Sequence, residues 1–165
     1  MTKAKKTVSR KRARSKFLTA RELDISKKQR CALIKTLEFL QDKKTEWVDE
    51  DEHTPDDLQE DKNGAPIQQG KLGFNLAIWS SPHACGTVGC IGGTAEILGK
   101  LKTGSLALLA SDLDFKSESE HPLYNLFYGS PDGMEQEEVT PKQAAQALYN
   151  YLKTGKPDWD SVDRS

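Results

Sequence analysis

The residues best suited to chemistry lie in one stretch, Phe74 to Lys100, which reads FNLAIWSSPHACGTVGCIGGTAEILGK. It gathers His83, Cys85 and Cys90 within eight residues, with Gly86, Thr87, Gly92 and Gly93 beside them. As a metal centre, H-x-C-x4-C supplies three soft ligands, whereas a structural zinc takes four and a catalytic zinc three plus water. No second C-x2-C or H-x3-H pair completes the set, and His53 and His121 are distant in sequence. Neither a metal nor a cofactor is expected. As a redox pair, Cys85 and Cys90 would point about 140° apart on one straight helix. A bridge therefore needs Cys85 to precede the helix and return through a turn at Gly86. Cys90 near a helix N-terminus would also favour a reactive thiolate. As an anion cradle, Gly86-Thr87-Val88-Gly89 lacks both the Walker lysine and the G-x-G-x-x-G pattern.

The packing reading suits these residues best. Cysteine is a small buried hydrophobe, and glycines at 89, 92 and 93 let a second backbone approach closely. His83 beside Ser80 and Ser81 does not amount to a nucleophile, base and orienter. Asp112, Asp114, Glu118 and Glu120 read as a solvated face rather than a carboxylate pair. Trp47, Trp79 and Trp159 read as core or rim packing. No catalytic residue is assigned.

A second chemistry lies in the charge pattern. The net charge of -1 hides a sharp asymmetry. Residues 1–30 hold twelve Lys or Arg against Glu22 and Asp24, while the other 135 residues hold twelve basic and 23 acidic side chains. Eight cations fall in residues 1–16, namely Lys3, Lys5, Lys6, Arg10, Lys11, Arg12, Arg14 and Lys16, with no acid among them. Clustered cations on a mobile arm suit non-specific contact with nucleic-acid phosphates, or with an acidic protein. Residues 42–61 carry ten carboxylates, including the run Asp49-Glu50-Asp51-Glu52. Such blocks repel themselves and bury little.

Apolar spacing and caps supply the elements that must position these groups. Ser26 and Gln29 form a capping box ahead of Leu33, Ile34, Leu37 and Leu40, which predicts a helix over 26–43. Phe74, Leu76 and Ile78 alternate with polar or small residues, predicting one short extended segment ended by Pro82. Val88, Ile91, Ala95 and Leu98 predict a helix from Thr87, closed by Gly99. Further helical segments fit 105–113, with Leu106, Leu109 and Leu113 on one face, and Pro122–Tyr128. Thr140, Pro141 and Gln143 start a last helix, which Gly155 stops. The expected fold is mainly α: residues 1–25 a basic, largely disordered arm, and 26–160 one helical domain interrupted by a mobile acidic connection at about 45–72.

The block CGTVGCIGG after FNLAIW, with VTPKQAAQALYNYLKTGKPDW downstream, resembles a family of small uncharacterised proteins from bacteria and their phages. Its members show a leading helix, an extended F-x4-W segment, a C-G-T-x-x-C-x-[GA]-G motif and a late T-P-x-x-A helix ending in G-x3-W. The matching positions are Phe74, Trp79, Cys85, Gly86, Thr87, Cys90, Gly92, Gly93, Thr140, Pro141, Ala144 and Trp159. Thr94 departs from the bulky aromatic that follows the paired glycines in that family. The resemblance implies a fold unit over roughly 75–160 and a microbial or phage source, but no activity.

Composition narrows the class. No apolar run reaches the roughly 18 residues of a membrane span, and none follows the basic N-terminus as a secretory leader would require. Three cysteines cannot close a disulfide framework, which favours a reducing cytoplasm. The expectation is a small non-enzymatic binding or accessory protein, whose arm contacts nucleic acid or an acidic partner. The alternative is a thiol-dependent enzyme or metal-binding protein using Cys85 and Cys90.

Overall fold

The computed structural model describes residues 17–42, 45–48, 59–68, 70–78, 80–83, 86–110 and 121–163, with side chains between 80 and 88 outside that description. Among these residues the fold is mainly helical. In chain order its elements are α1 (Lys27–Leu40), β1 (Lys71–Phe74), β2 (Ser80–His83), β3 (Gly86–Gly89), α2 (Ile91–Gly99), α3 (Ser105–Ala110), α4 (Pro122–Tyr128) and α5 (Pro141–Thr154). Short 3-10 turns follow at Gln136–Glu138 and Trp159–Ser161.

Both long helices form where their caps predict. The Ser26 hydroxyl accepts the Gln29 N–H at 3.1 Å, and the Gln29 side chain accepts the Ser26 N–H at 2.8 Å. Thr140 and Gln143 repeat the arrangement at α5, with Pro141 in the first turn. Gly155, at φ 82°, closes α5 in the left-handed region that glycine adopts without steric cost. The apolar face of α5 is buried as its spacing predicts: Ala144, Ala145, Leu148, Tyr151 and Leu152 all lie in the core. On α1, Leu33, Leu37 and Leu40 are buried, whereas Ile34 only borders the core and Ala32 and Thr36 fill the stripe.

The extended part exceeds the single segment that alternation suggests. Three strands form one sheet in the order β1-β3-β2, β1 parallel to β3 and β2 antiparallel to it. Phe74, Leu76 and Ile78 are indeed buried, but β1 ends at Phe74. The Asn75 carboxamide oxygen accepts the Ala77 N–H at 2.9 Å and turns the chain there. Pro82 lies within β2 rather than after it, on an edge strand of the sheet, where a missing N–H is tolerated. Gly86–Gly89 is strand β3 and not a first helical turn, so α2 starts at Ile91.

The folded unit also begins before residue 26. Thr19 and Glu22 cap a turn, and Leu23 and Ile25 are buried beneath it. Two pieces of the acidic connection are tied to the domain as well. The Val48 N–H donates to the Phe74 carbonyl at 3.0 Å, and the Thr103 N–H to the Gly64 carbonyl at 2.7 Å. These are backbone bonds, to which a charge pattern is blind. Residues 49–58 and 111–120 lie outside the described residues, and with them Leu113 and Asp112, Asp114, Glu118 and Glu120.

Helix α2 crosses α1 at Gly99, where a Cβ would land inside contact distance of the Ala32 Cβ and about 3.4 Å from its Cα. Gly99→Ala must therefore spread the two helices. Overpacking of about 1–3 kcal/mol outweighs the ~1 kcal/mol that a helix gains from alanine. Thermal unfolding of Gly99→Ala should show a midpoint several degrees lower; an unchanged or higher midpoint contradicts the close crossing.

Candidate functional site

Cys90 stands between β3 and α2, as the N-cap of the helix. Its backbone is extended (φ -69°, ψ -173°), and its sulfur accepts the Gly93 N–H at 3.5 Å. It thus caps the helix as a serine would. Behind it the Thr94 hydroxyl donates to the Gly89 carbonyl at 3.1 Å, which ties the helix back to the strand. Cys90 is 2% exposed, and burial pushes its thiol up to about 12 despite the N–H groups of Gly93 and Gly92. A helix N-terminus alone would lower a thiol pKa. Desolvation wins here, and the nearby Glu96 adds to it. At neutral pH Cys90 is a neutral thiol, the opposite of the activated thiolate that its position suggests.

Glu96 is the residue that sequence reasoning misses. It lies one turn and a half along α2 and is fully buried. Its carboxylate accepts the N–H groups of Gly104 and Leu106 at 2.9 Å each, and the Ser105 hydroxyl at 3.4 Å. It caps α3 from a neighbouring helix. A small cleft of about 270 Å³ opens beside these groups, lined by Leu76, Cys90, Gly104, Phe127, Tyr128 and Gln136 among others. At its rim Tyr128 is held above the usual phenol range, by desolvation first and then by Cys90, Tyr124 and Glu96.

The other singled-out residues are dispersed. His83 stands opposite Gly86 at one end of β3, while Cys90 follows the other end. Strand rise separates their backbones by about 13 Å, which is beyond the span of two side chains on one zinc. Cys85 lies outside the described residues. Among those residues no three His, Cys, Asp or Glu form a group that could hold a metal ion. Gly86 and Thr87 belong to a strand paired on both sides, so no phosphate cradle forms there. Gly92 and Gly93 are buried in the first turn of α2.

All eight arm cations lie outside the described residues, but the root of the arm is well defined. The Arg30 guanidinium donates to the Leu18 carbonyl at 2.6 Å and the Phe17 carbonyl at 3.5 Å. The Leu18 N–H donates to the Leu152 carbonyl at 2.9 Å, and Phe17 meets the Tyr149 ring edge-on at 5.6 Å. Among the described residues no helix is long and apolar enough to cross a membrane. Comparison with protein-family models, curated proteins and solved structures finds no match to this chain.

Two measurements check this site. In native protein at pH 8, iodoacetamide should modify the exposed Cys31 and leave Cys90 unmodified until denaturant is added; equal labelling rates would contradict the buried thiol. Glu96→Ala strands the buried N–H of Leu106 and the half-buried N–H of Gly104, and should lower the unfolding free energy by about 2–4 kcal/mol. A loss near zero in urea titration would remove Glu96 from the capping role.

Proposed function

We propose that the protein is a non-enzymatic binding module that holds a cationic N-terminal segment against nucleic acid. The anchored root carries this reading. One guanidinium and one backbone hydrogen bond fix Phe17 and Leu18 on α1 and α5, and the eight cations of residues 1–16 directly precede this anchored pair in the sequence. Flexible Lys and Arg contacts to phosphate position a protein without reading bases. A cytoplasmic setting and a microbial or phage source belong to the same reading. The exposed Cys31 thiol suits a reducing compartment, and the source rests on the motif resemblance alone. The thiol-enzyme alternative meets a buried Cys90 whose thiol stays protonated at neutral pH.

If about six arm cations engage phosphates, log affinity for duplex DNA falls against log salt with a slope near -5. Fluorescence anisotropy should show that slope for the full chain, with little sequence preference. Removing residues 1–16 should abolish most of the binding. The acidic run Asp49-Glu50-Asp51-Glu52 competes for the same cations, so its neutralisation to Asn and Gln should strengthen binding. No binding at low salt, or binding indifferent to loss of the arm, refutes the nucleic-acid reading; retention of the arm-dependent affinity only for an acidic protein would replace it.

A further inference from the structure

Four stretches of chain meet at the cleft beside Cys90, and their charge is one-sided. Residues 74–78 and 103–110 hold no charged side chain, and α2 holds one, Glu96. The stretch 121–140, which supplies Phe127, Tyr128 and Gln136 to the wall, holds exposed Asp132, Glu135, Glu137 and Glu138 and neither lysine nor arginine. The lysines just before α3 face elsewhere. Lys100 lies near Asp61, whose carboxylate it favours, and the stem of Lys102 packs beside Gly64 and Glu60. Residues 111–120 lie outside the described residues, and their sequence holds Lys116 against Asp112, Asp114, Glu118 and Glu120, which does not reverse the sign.

The walls themselves are mostly apolar. Buried Leu76 and Phe127 line the cleft with half-buried Ala107 and exposed Ala77, and the Tyr128 ring stands half-exposed among them. At Gly104 the backbone borders open space, with no atom within 4 Å of the point where a Cβ would stand. The Gln136 carboxamide, also on the wall, makes no hydrogen bond among the described residues. The Glu96 carboxylate lies one hydrogen bond behind this surface, on the Gly104 N–H. A buried charge is screened far less than one in water, so its field reaches into the cleft. The Tyr128 phenol, raised by Glu96 after desolvation and its other neighbours, registers that field.

We propose that this cleft binds a small organic cation, an ammonium group carried on an apolar body about one ring in size. An anion meets only like charge there, and a neutral ligand fits the walls without using the field. An ammonium on an apolar body uses both, and aromatic rings beside it attract a cation further. The volume of about 270 Å³ falls just below the roughly 300–1,000 Å³ of drug-sized sites, which sets the size of the occupant. This site is independent of the N-terminal arm and of nucleic acid.

Three probes of one shape separate the contributions: benzylammonium, benzyl alcohol and benzoate, each titrated into the full chain at neutral pH and followed by amide NMR shifts. Benzylammonium should give saturable shifts at Ala77, Gly104, Ala107, Tyr128 and Gln136, with a dissociation constant on the order of 1 mM, as suits about eight heavy atoms. Benzyl alcohol should bind about threefold to tenfold more weakly, and benzoate not at all. Ala107→Phe fills the cleft from a half-buried position and should abolish the shifts while the protein still melts cooperatively. Ala77→Phe fills it from a second wall if the first variant does not fold. Absence of saturable shifts at these residues overturns the site, as does binding that persists in a folded, filled variant or shifts centred instead on the groove between α1 and α5. Benzoate binding as tightly as benzylammonium overturns the choice of a cation.

Discussion

The antiparallel pairing of α1 and α5 is the constraint on which the rest of the structure depends. Each helix is fixed in register by its own capping box, and the two are tied at one end through residues 17–25. The Tyr151 hydroxyl reaches the Leu23 carbonyl at 3.5 Å, and the Leu18 N–H reaches the Leu152 carbonyl. Reversal or slippage of this pair would separate the arm root from the cations of α5.

The glycine-rich segment serves that same core by relaying caps. β3 fills the middle of the sheet and ends at Gly89, Cys90 next to it caps α2, and Glu96 on α2 caps α3. At the far side, the Trp159 indole N–H donates to the Asn125 carbonyl at 2.7 Å, and its ring occupies the space that a side chain at Gly129 would need. Every step exchanges an unsatisfied backbone group for a buried partner, which matters most in a domain with a modest core. Burial that protects the relay also raises the Cys90 thiol, so this cysteine, at a helix start that would favour a thiolate, is held in its less reactive form.

The sequence reveals the helices with strong local punctuation and is silent where long-range pairing decides. Ser26, Gln29, Thr140, Pro141, Gln143 and Gly155 announce their roles because capping needs only neighbours a few residues away. Gly86 to Gly89 reads as the start of a helix because Val88 and Ile91 fall at helical spacing, yet pairing with β1 and β2 draws it into the sheet. Asn75 converts an alternating pattern into a turn while keeping its apolar residues buried. Residues 17–25 hide beside the basic segment because Leu23 and Ile25 are two apolar residues among charges. Glu96 leaves no signal at all, since the Gly104, Ser105 and Leu106 groups that it caps lie eight to ten residues further on.

Native-state amide exchange, followed by NMR, tests the pairing of α1 and α5 most directly. If that pairing holds the fold together, the Leu18 amide bonded to Leu152 and the buried amides of Leu37 and Leu148 open together, with one free energy and one dependence on denaturant. Opening of α5 while α1 stays protected, or free exchange at Leu18 while both helices stay closed, would contradict it.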